Sequence, residues 1–562
     1  MTRRIPEDIR EYPFDLIVIG AGINGAGIAR DAAMRGLSTL LLDKGDISNG
    51  TTQWATRLIH GGLRYLEYYE IPLVRESLRD REVLFHIAPH LVKPLGFLIP
   101  IYERTKHGPL MIRLGMIAYD VLSFDKSVGN HHMLTPEEAL QREPGLNPEG
   151  LRGAAFYYDG QVEYAERVAV ENAISAHEHG ALVLNYARVD RLIVESGDVV
   201  GVEFTDVMGG GTYEARAPVT VNVAGPWVDE VLQKIDRYGP SEKRLIGGTK
   251  GSHLVVDPFP GAPKGEALYV EARRDGRPYF IVPWNGRYLI GTTDIRYEGD
   301  LDHVVAEEEE IEYLLDETNH VIPEANLSRD SVLFTYSGVR PLPYHPEGAA
   351  GSVTRSHIIH DHAPHIREDP RLGGLISIVG GKLTTYRNLS RQTVDKVYDK
   401  LHLRAPKSRT AKVPLPGGAV GDFDAFAAEF KVTSGLADEL AERLLKLYGV
   451  RASDVLALAG NDSSLRMPLS ASATVETGLL GAEVLHAFQH EMAQTLSDVL
   501  LRRTMVGLGP GVGLDVDEAA ARIAVKYLGW SEERARSEVE AYRRYVERYT
   551  PRAFRKGEPV GA

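Results

Sequence analysis

The sequence predicts an α/β protein with an all-helical region appended. Three features carry that reading. A strand, glycine turn, helix and second strand open the chain; short strands broken by Gly and Pro fill its middle; amphipathic helices follow a Pro-rich break. At 562 residues more than one core is expected. With 43% hydrophobic and 25% charged residues the composition is that of a folded globular protein. A formal net charge of -14 excludes nucleic acid as a partner of the surface as a whole. The absence of cysteine excludes disulfides, iron–sulfur clusters and thiolate nucleophiles.

The opening unit is Phe14 to Lys44, FDLIVIGAGINGAGIARDAAMRGLSTLLLDK. Leu16 to Ile19 is a short apolar run suited to a buried parallel strand. Gly20-Ala21-Gly22-Ile23-Asn24-Gly25 is a G-x-G-x-x-G turn. Gly20 can make the bend, Gly22 lets a diphosphate approach the backbone, and Gly25 lets the helix pack on the strand. The helix starting there directs free N–H groups at phosphates. Ser38 to Leu42 is the second strand, and Asp43 follows it, where a carboxylate can accept hydrogen bonds from a ribose. No second copy of the motif follows, so one dinucleotide is expected.

Asp46 to Arg57 is a polar loop leading into LIHGGLRYL, whose Gly pair beside His, Arg and Tyr suits a backbone passing close to a ligand. A helix is expected over Leu73 to His86. Pro94 to Phe124 is strongly apolar, with Arg104, Lys106, His107 and Arg113 interspersed, and too broken by Pro and Gly to span a bilayer. It is read as a membrane-contacting surface in preference to a buried helix pair roofing the active site. Glu163 to His179 is a helix. The strands from Leu182 to Val223 form a meander ending at Ala224-Gly225-Pro226-Trp227, small residues that allow a second approach to the cofactor.

From Gly247 to Asp294 short strands alternate with Gly/Pro turns, an antiparallel sheet. The acids from Glu307 complement a helix dipole and call for no functional reading. Leu333 to Pro341 is a strand and turn with a single Arg. Leu375 to Arg387 is a strand, a Gly pair and a helix start of the anion-accepting kind. A basic, Pro-rich linker follows, then helices over Asp424–Tyr448, Gly481–Arg503, Val516–Leu528 and Ser531–Tyr549. His357, His360, His362 and His365 lie in a polar turn without helical spacing or thiolates, so they read as a solvated loop and no metal is expected. The first residues lack an apolar stretch of the secretory kind and no run is long enough to span a membrane, so a cytosolic or membrane-face protein is expected.

Taken in order and spacing, GAGINGAGIARDAAMRGL, LIHGGLRYLE, KGSHLVV, IGTTD, YSGVRPL and GGKLTTYR resemble the FAD-dependent glycerol-3-phosphate dehydrogenases, strongly over residues 14 to 400 and more loosely beyond. The resemblance implies FAD in a Rossmann-like fold of the glutathione-reductase/amino-acid-oxidase type. It implies oxidation of sn-glycerol 3-phosphate to dihydroxyacetone phosphate, with electrons passed to a membrane quinone. The protein would be cytoplasmic, peripheral on the inner face of the cell membrane; a homodimer is left open. The expected division is residues 1-90, 155-225 and 333-400 for FAD, 91-154 and 226-332 for substrate and membrane, a linker at 401-420 and a helical domain at 421-562. Missing cysteines set aside the iron–sulfur-bearing anaerobic branch. The lack of a long internal insertion favours quinone over O₂, the alternative being a glycerol-3-phosphate oxidase that makes hydrogen peroxide.

Oxidising a secondary alcohol needs a hydride acceptor and a base for the hydroxyl proton. The resemblance gives the base role to His253. A phosphate dianion needs cations in a restricted space, and Arg340, Arg355 and Lys382 are the candidates, with Arg64 and Tyr65 completing the pocket. His253, Arg340 and Lys382 form the expected catalytic set. Expected FAD contacts are Gly20, Gly22, Gly25, Asp43, Thr51, Thr52, Ala224, Gly225, Gly381, Leu383 and Thr384. An amine or hydroxy-acid oxidase would need one carboxylate-binding Arg in place of several cations, and a flavin sensor would need neither base nor cations.

Overall fold

Five parallel strands build the sheet on which the chain is organised. In spatial order they are Leu375–Val379, Val219–Asn222, Leu16–Ile19, Thr39–Leu42 and Leu182–Leu184, with Ile358–Asp361 added antiparallel at one edge. The computed structural model describes residues 1, 3–235, 244–345, 354–363, 372–470 and 478–555. Leu16–Ile19 lies in the middle with every side chain buried, which is why this stretch is apolar on both faces and not alternating. Helices Ile23–Met34, Ala165–Glu178 and Tyr386–Lys400 pack together against the sheet through Ala26, Ala29, Ala169, Ala173, Leu389 and Val397. Gly20 holds φ +110°, and a Cβ on Gly25 would stand 1.8 Å from the Gly20 carbonyl oxygen. The turn therefore closes only with glycine at both places.

The expected meander is three antiparallel strands, Ala187–Glu195, Asp198–Asp206 and Thr212–Arg216. Its first and last predicted segments divide: Leu182–Leu184 and Val219–Asn222 leave the meander and join the parallel sheet. A ten-stranded, mostly antiparallel sheet forms the other half of the molecule. At its heart Thr249–Val256, buried along its whole length, pairs with Arg287–Gly291 on one side and Val332–Arg340 on the other.

The segment from Pro94 to Phe124 is not a helix pair. Val92–Tyr102 is a strand paired along Leu151–Val162, and only Pro109–Leu122 is helical. A run apolar on both faces carries no period that separates strand from helix, so pairing decided it. On that helix Met116 and Tyr119 are buried, while Leu110 (74% exposed), Met111, Leu114, Ile117 and Val121 face outward, as does Phe124 (78%) just past its end. Among the described residues no helix is long and apolar enough to cross a membrane.

The C-terminal helices are more broken than predicted: Asp424–Tyr448 separates into Phe423–Thr433 and Asp438–Tyr448, and the predicted helix ending at Arg503 stops at His490 and restarts at Leu496. They dock through charge as well as apolar contact. Asp46, buried, receives Arg502 (2.7 Å) and both arms of Arg503 (2.8 Å each). Arg167 from the nucleotide side forks onto Glu491 at 2.6 and 2.8 Å. One apolar core runs from the large sheet (Phe97, Trp284, Phe334) into these helices (Leu444, Val499, Tyr542).

Candidate active site

Two cavities meet at a common wall. The larger, about 400 Å³, is lined by Gly20, Gly22, Asp43, Thr51, Thr52, Ala224 and Gly225. The smaller, about 300 Å³, is lined by His60, Arg64, Tyr65, His253, Arg340, Arg355 and Thr384. Gly381, Lys382 and Leu383 belong to both. Of the expected cofactor contacts Gly25 alone lines neither; it lies beneath the turn.

The larger cavity fits a dinucleotide. Its floor is kept free of side chains, since a Cβ on Gly20 would meet the Val223 carbonyl oxygen at 2.7 Å and one on Gly22 would meet Thr52 Oγ1 at 3.3 Å. Asp43 accepts N–H bonds from Ala21 (2.6 Å) and Gly45 (2.8 Å), which orients its carboxylate in the wall. Burial pushes that carboxyl up, and these two bonds oppose the rise. In the same wall Asn24 Oδ1 and Trp227 Nε1 are buried without a partner among the described residues, polar atoms that a polar ligand would satisfy. Thr384 plays a separate part. Its hydroxyl accepts the His60 N–H at 3.1 Å, fixing the Gly-Gly loop against the shared wall.

In the smaller cavity, sheet register sets the chemistry. His253 lies opposite Gly291 and Tyr336 on the two neighbouring strands. Its ring stacks on Tyr336 (4.7 Å between centroids), Nε2 is 2.9 Å from Thr56 Oγ1, and Nδ1 has no partner among the described residues. Burial, with Arg340 and Arg57 nearby, holds its pKa well below the ordinary histidine value, so the ring is neutral at pH 7. His60 is likewise neutral, pushed down to about 4 by burial.

Arg340 and Arg355 share one carboxylate. Arg340 reaches Asp294 Oδ1 at 3.2 Å and Arg355 reaches Oδ2 at 3.0 Å. Arg340 also donates to Thr292 Oγ1 (3.0 Å) and the Thr293 carbonyl (3.3 Å). Arg277 donates to the Asp294 carbonyl and lines the same hollow. Burial alone would raise the Asp294 carboxyl, but the two guanidinium groups hold it below its ordinary value. Two cations on one anion leave net positive charge facing the cavity. A Cβ on Gly251 would fall 2.3 Å from Arg340 Nη2, so the Arg340 side chain can fold over the sheet only because Gly251 has none.

Lys382 stands in the shared wall with Nζ 3.6 Å from the centroid of Tyr65, buried and without a hydrogen-bond partner among the described residues. Burial pushes its pKa down to about 7. The sequence placed it at a helix start; the helix begins at Tyr386, and Gly380 (φ +78°) and Gly381 (φ +99°) turn the chain so that Lys382 faces the cavities from a loop.

Asp294, Arg277 and Thr56 were not singled out by sequence reasoning. No local pattern marks Asp294 as the holder of two arginines, one at the end of a distant strand and one in a loop beyond it. The acids from Glu307 do open the helix, with Glu310 Oε2 accepting the Glu307 N–H at 3.0 Å, but one of them has a second part. Glu310 turns inward with Ile311 and Leu314, is 2% exposed, pairs with Lys250 (2.8 Å) and accepts the hydroxyls of Ser252 (2.8 Å) and Thr293 (2.6 Å). Glu310 is helix-start acid and buried anchor at once, and only its orientation reveals the second part. His357 pairs with Gln392 and His362 with Ser377, away from both cavities, and His365 lies outside the described residues.

A dinucleotide cleft of this topology joined to a cationic hollow defines an FAD-dependent oxidoreductase. Residues 15–387 match the family described as FAD dependent oxidoreductase, and residues 408–535 match the C-terminal domain of alpha-glycerophosphate oxidase. The chain belongs, within that family, to the FAD-dependent glycerol-3-phosphate dehydrogenases. It is 47% identical to the glycerol-3-phosphate dehydrogenase of Synechocystis sp., over 97% of this chain and 98% of that one. It is 32% identical to the aerobic glycerol-3-phosphate dehydrogenase of Staphylococcus haemolyticus, over 89% and 88%. The structure of the Bacillus halodurans glycerol-3-phosphate dehydrogenase complexed with FAD superimposes with a TM-score of 0.76 at 29% identity, covering 97% of each chain.

Proposed function

We propose that this enzyme oxidises sn-glycerol 3-phosphate to dihydroxyacetone phosphate, delivers the electrons to a quinone, and works at a membrane face. The observation that carries the substrate reading is the hollow in which Arg340 and Arg355 share Asp294, one wall away from the dinucleotide cavity. FAD, when bound, supplies the hydride acceptor. The protein's part is to bind the phosphate, orient the secondary alcohol and take its proton.

Arg340, Arg355 and Arg277 receive the phosphate dianion, with Arg64 and Tyr65 at the rim. The neutral imidazole of His253 accepts the hydroxyl proton. An arriving dianion offsets the positive field of Arg340, which raises the His253 pKa and makes the ring a better base once substrate is in place. Lys382 sits where phosphate and cofactor charge both reach it, and an anion beside it favours its charged form. The Lys382 ammonium is half-formed near pH 7 and lost above it, so substrate binding at higher pH must take up a proton. The KM for glycerol 3-phosphate is expected to rise between pH 7 and 9, and Lys382→Met should flatten that rise; an unchanged slope in the variant removes Lys382 from the binding step.

For the membrane, the outward face of the Pro109–Leu122 helix supports the reading, with exposed Arg104 and Arg113 beside it to meet anionic headgroups. Replacing Leu110, Leu114 and Val121 together by Ser should release the protein from anionic vesicles while leaving turnover with a soluble acceptor. Sedimentation with lipid undiminished by the triple change would dispose of this face as the anchor.

Anaerobic mixing with sn-glycerol 3-phosphate should bleach the flavin absorbance, and glycerol should not. Reoxidation by a quinone analogue should then outpace that by O₂. A flavin that stays oxidised ends the dehydrogenase reading; oxygen uptake equal to the quinone rate, with hydrogen peroxide formed, would make the enzyme an oxidase.

A further inference from the structure

The C-terminal helix Glu532–Val546 continues into a short turn, Glu547–Tyr549, that lies over the dinucleotide cavity. Tyr545 and Arg548 line that cavity together with Gly20, Gly22 and Asp43. Both residues lie beyond the segments that match families, which end at 387 and 535.

Arg548 is held ready for an anion. Its Cζ stacks 4.0 Å from the Tyr545 ring centroid, Nε donates to the Tyr545 carbonyl (3.2 Å) and Nη1 to the Asp302 carbonyl (3.2 Å). It forms no ion pair among the described residues. Tyr545 is itself anchored, its hydroxyl 3.2 Å from Asn49 Oδ1 and 3.4 Å from Gln53 Nε2, on the loop that carries Thr51 and Thr52. Apart from Lys382, which stands at the boundary with the smaller cavity, the other cations of the wall are engaged. Lys44 pairs with Asp302 (2.6 Å), Arg188 pairs with Asp190 (2.7 Å), and Lys234 donates to the Val189 carbonyl (2.6 Å). The glycine turn is also partly spent, since Ala21 N–H serves Asp43 (2.6 Å) and Ile23 N–H serves Thr52 Oγ1 (3.1 Å).

The diphosphate of FAD brings two negative charges to this cavity. We propose that Arg548 binds that diphosphate, with Tyr545 as its stacking platform, so that the end of the helical region is part of the cofactor site. A planar guanidinium with two arms already fixed presents its remaining N–H groups at little further entropic cost. The contact ties cofactor retention to the helix Glu532–Val546 and the turn that follows it, and it does not depend on the substrate or on the electron acceptor.

The test measures FAD release from the holoenzyme on dilution, read by free-flavin fluorescence, and displacement of FAD by ADP. Arg548→Ala should weaken FAD by about ten- to a hundredfold, the range of a lost charge-assisted hydrogen bond. ADP carries the diphosphate and should weaken by the same factor, so the ADP-to-FAD affinity ratio stays at its wild-type value. Arg548→Lys should recover most of both. FAD affinity unchanged in Arg548→Ala overturns the proposal, as does a loss confined to FAD with ADP untouched, which would move the contact elsewhere on the cofactor. A fall in the melting temperature of the flavin-free Arg548→Ala chain that accounts for the whole loss would also overturn it, by making Arg548 a structural residue.

Discussion

Arg340→Ala is expected to lower kcat/KM for glycerol 3-phosphate by about ten- to a hundredfold, mostly through KM, and to leave the feeble turnover of glycerol nearly unchanged. The guanidinium contributes charge-assisted bonds to a dianion that glycerol lacks, each worth roughly 1.5–3 kcal/mol. Losing it also unbalances the hollow: Asp294 remains with Arg355 alone, and the surplus positive charge of that cluster disappears, leaving Arg277, Arg64 and Lys382 to face the anion. The measurement is steady-state kinetics on both alcohols. Equal losses on the two would sink the phosphate role and leave Arg340 as a brace for the sheet.

His253→Ala should reduce kcat by about 10²- to 10⁴-fold, the usual contribution of a positioned base, with the flavin spectrum retained. The pH profile gives the sharper check. Because catalysis needs the neutral ring, activity is present above the His253 pKa and lost as pH falls through it. Burial together with Arg340 and Arg57 depresses that pKa, so the acid limb of kcat/KM lies well below pH 6.5. Removing Arg340 removes one of the two cations that depress it, so the limb in Arg340→Ala should shift upward. A limb that stays in place in Arg340→Ala, or persists in His253→Ala, belongs to another group.

The parallel-sheet core was legible because local sequence is enough for it. Leu16 to Ile19, the glycine turn and Asp43 lie within one continuous stretch, and the turn tolerates nothing but glycine at Gly20 and Gly25. The strand Thr249–Val256 and the strand ending at Arg340 were also readable, each from its own apolar run. What joined them was not. Asp294 acquires its place only when the register sets Thr249 opposite Arg340 and the next turn brings Thr292 and Thr293 under the guanidinium.

The same division explains the misreadings. Val92–Tyr102 was not legible as a strand within the apolar stretch from Pro94 to Phe124, because an apolar run buried on both faces has no helical or strand period to read. Ile112, apolar like its neighbours, packs against the core and not outward, which only the helix's placement on the sheet reveals. Glu310 was legible as a helix-start acid, but its bonds to Ser252 and Thr293 depend on how the helix is rotated onto the sheet.

By itself, then, the chain determined a dinucleotide turn and a helical tail, since each depends on neighbours a few positions apart. Only the tertiary structure decided which charges face one another: two arginines on one aspartate, a lysine in a wall between two cavities, and a C-terminal arginine over the cofactor's cleft. Coulomb interactions depend on distance and burial, and neither is written in a linear order of residues.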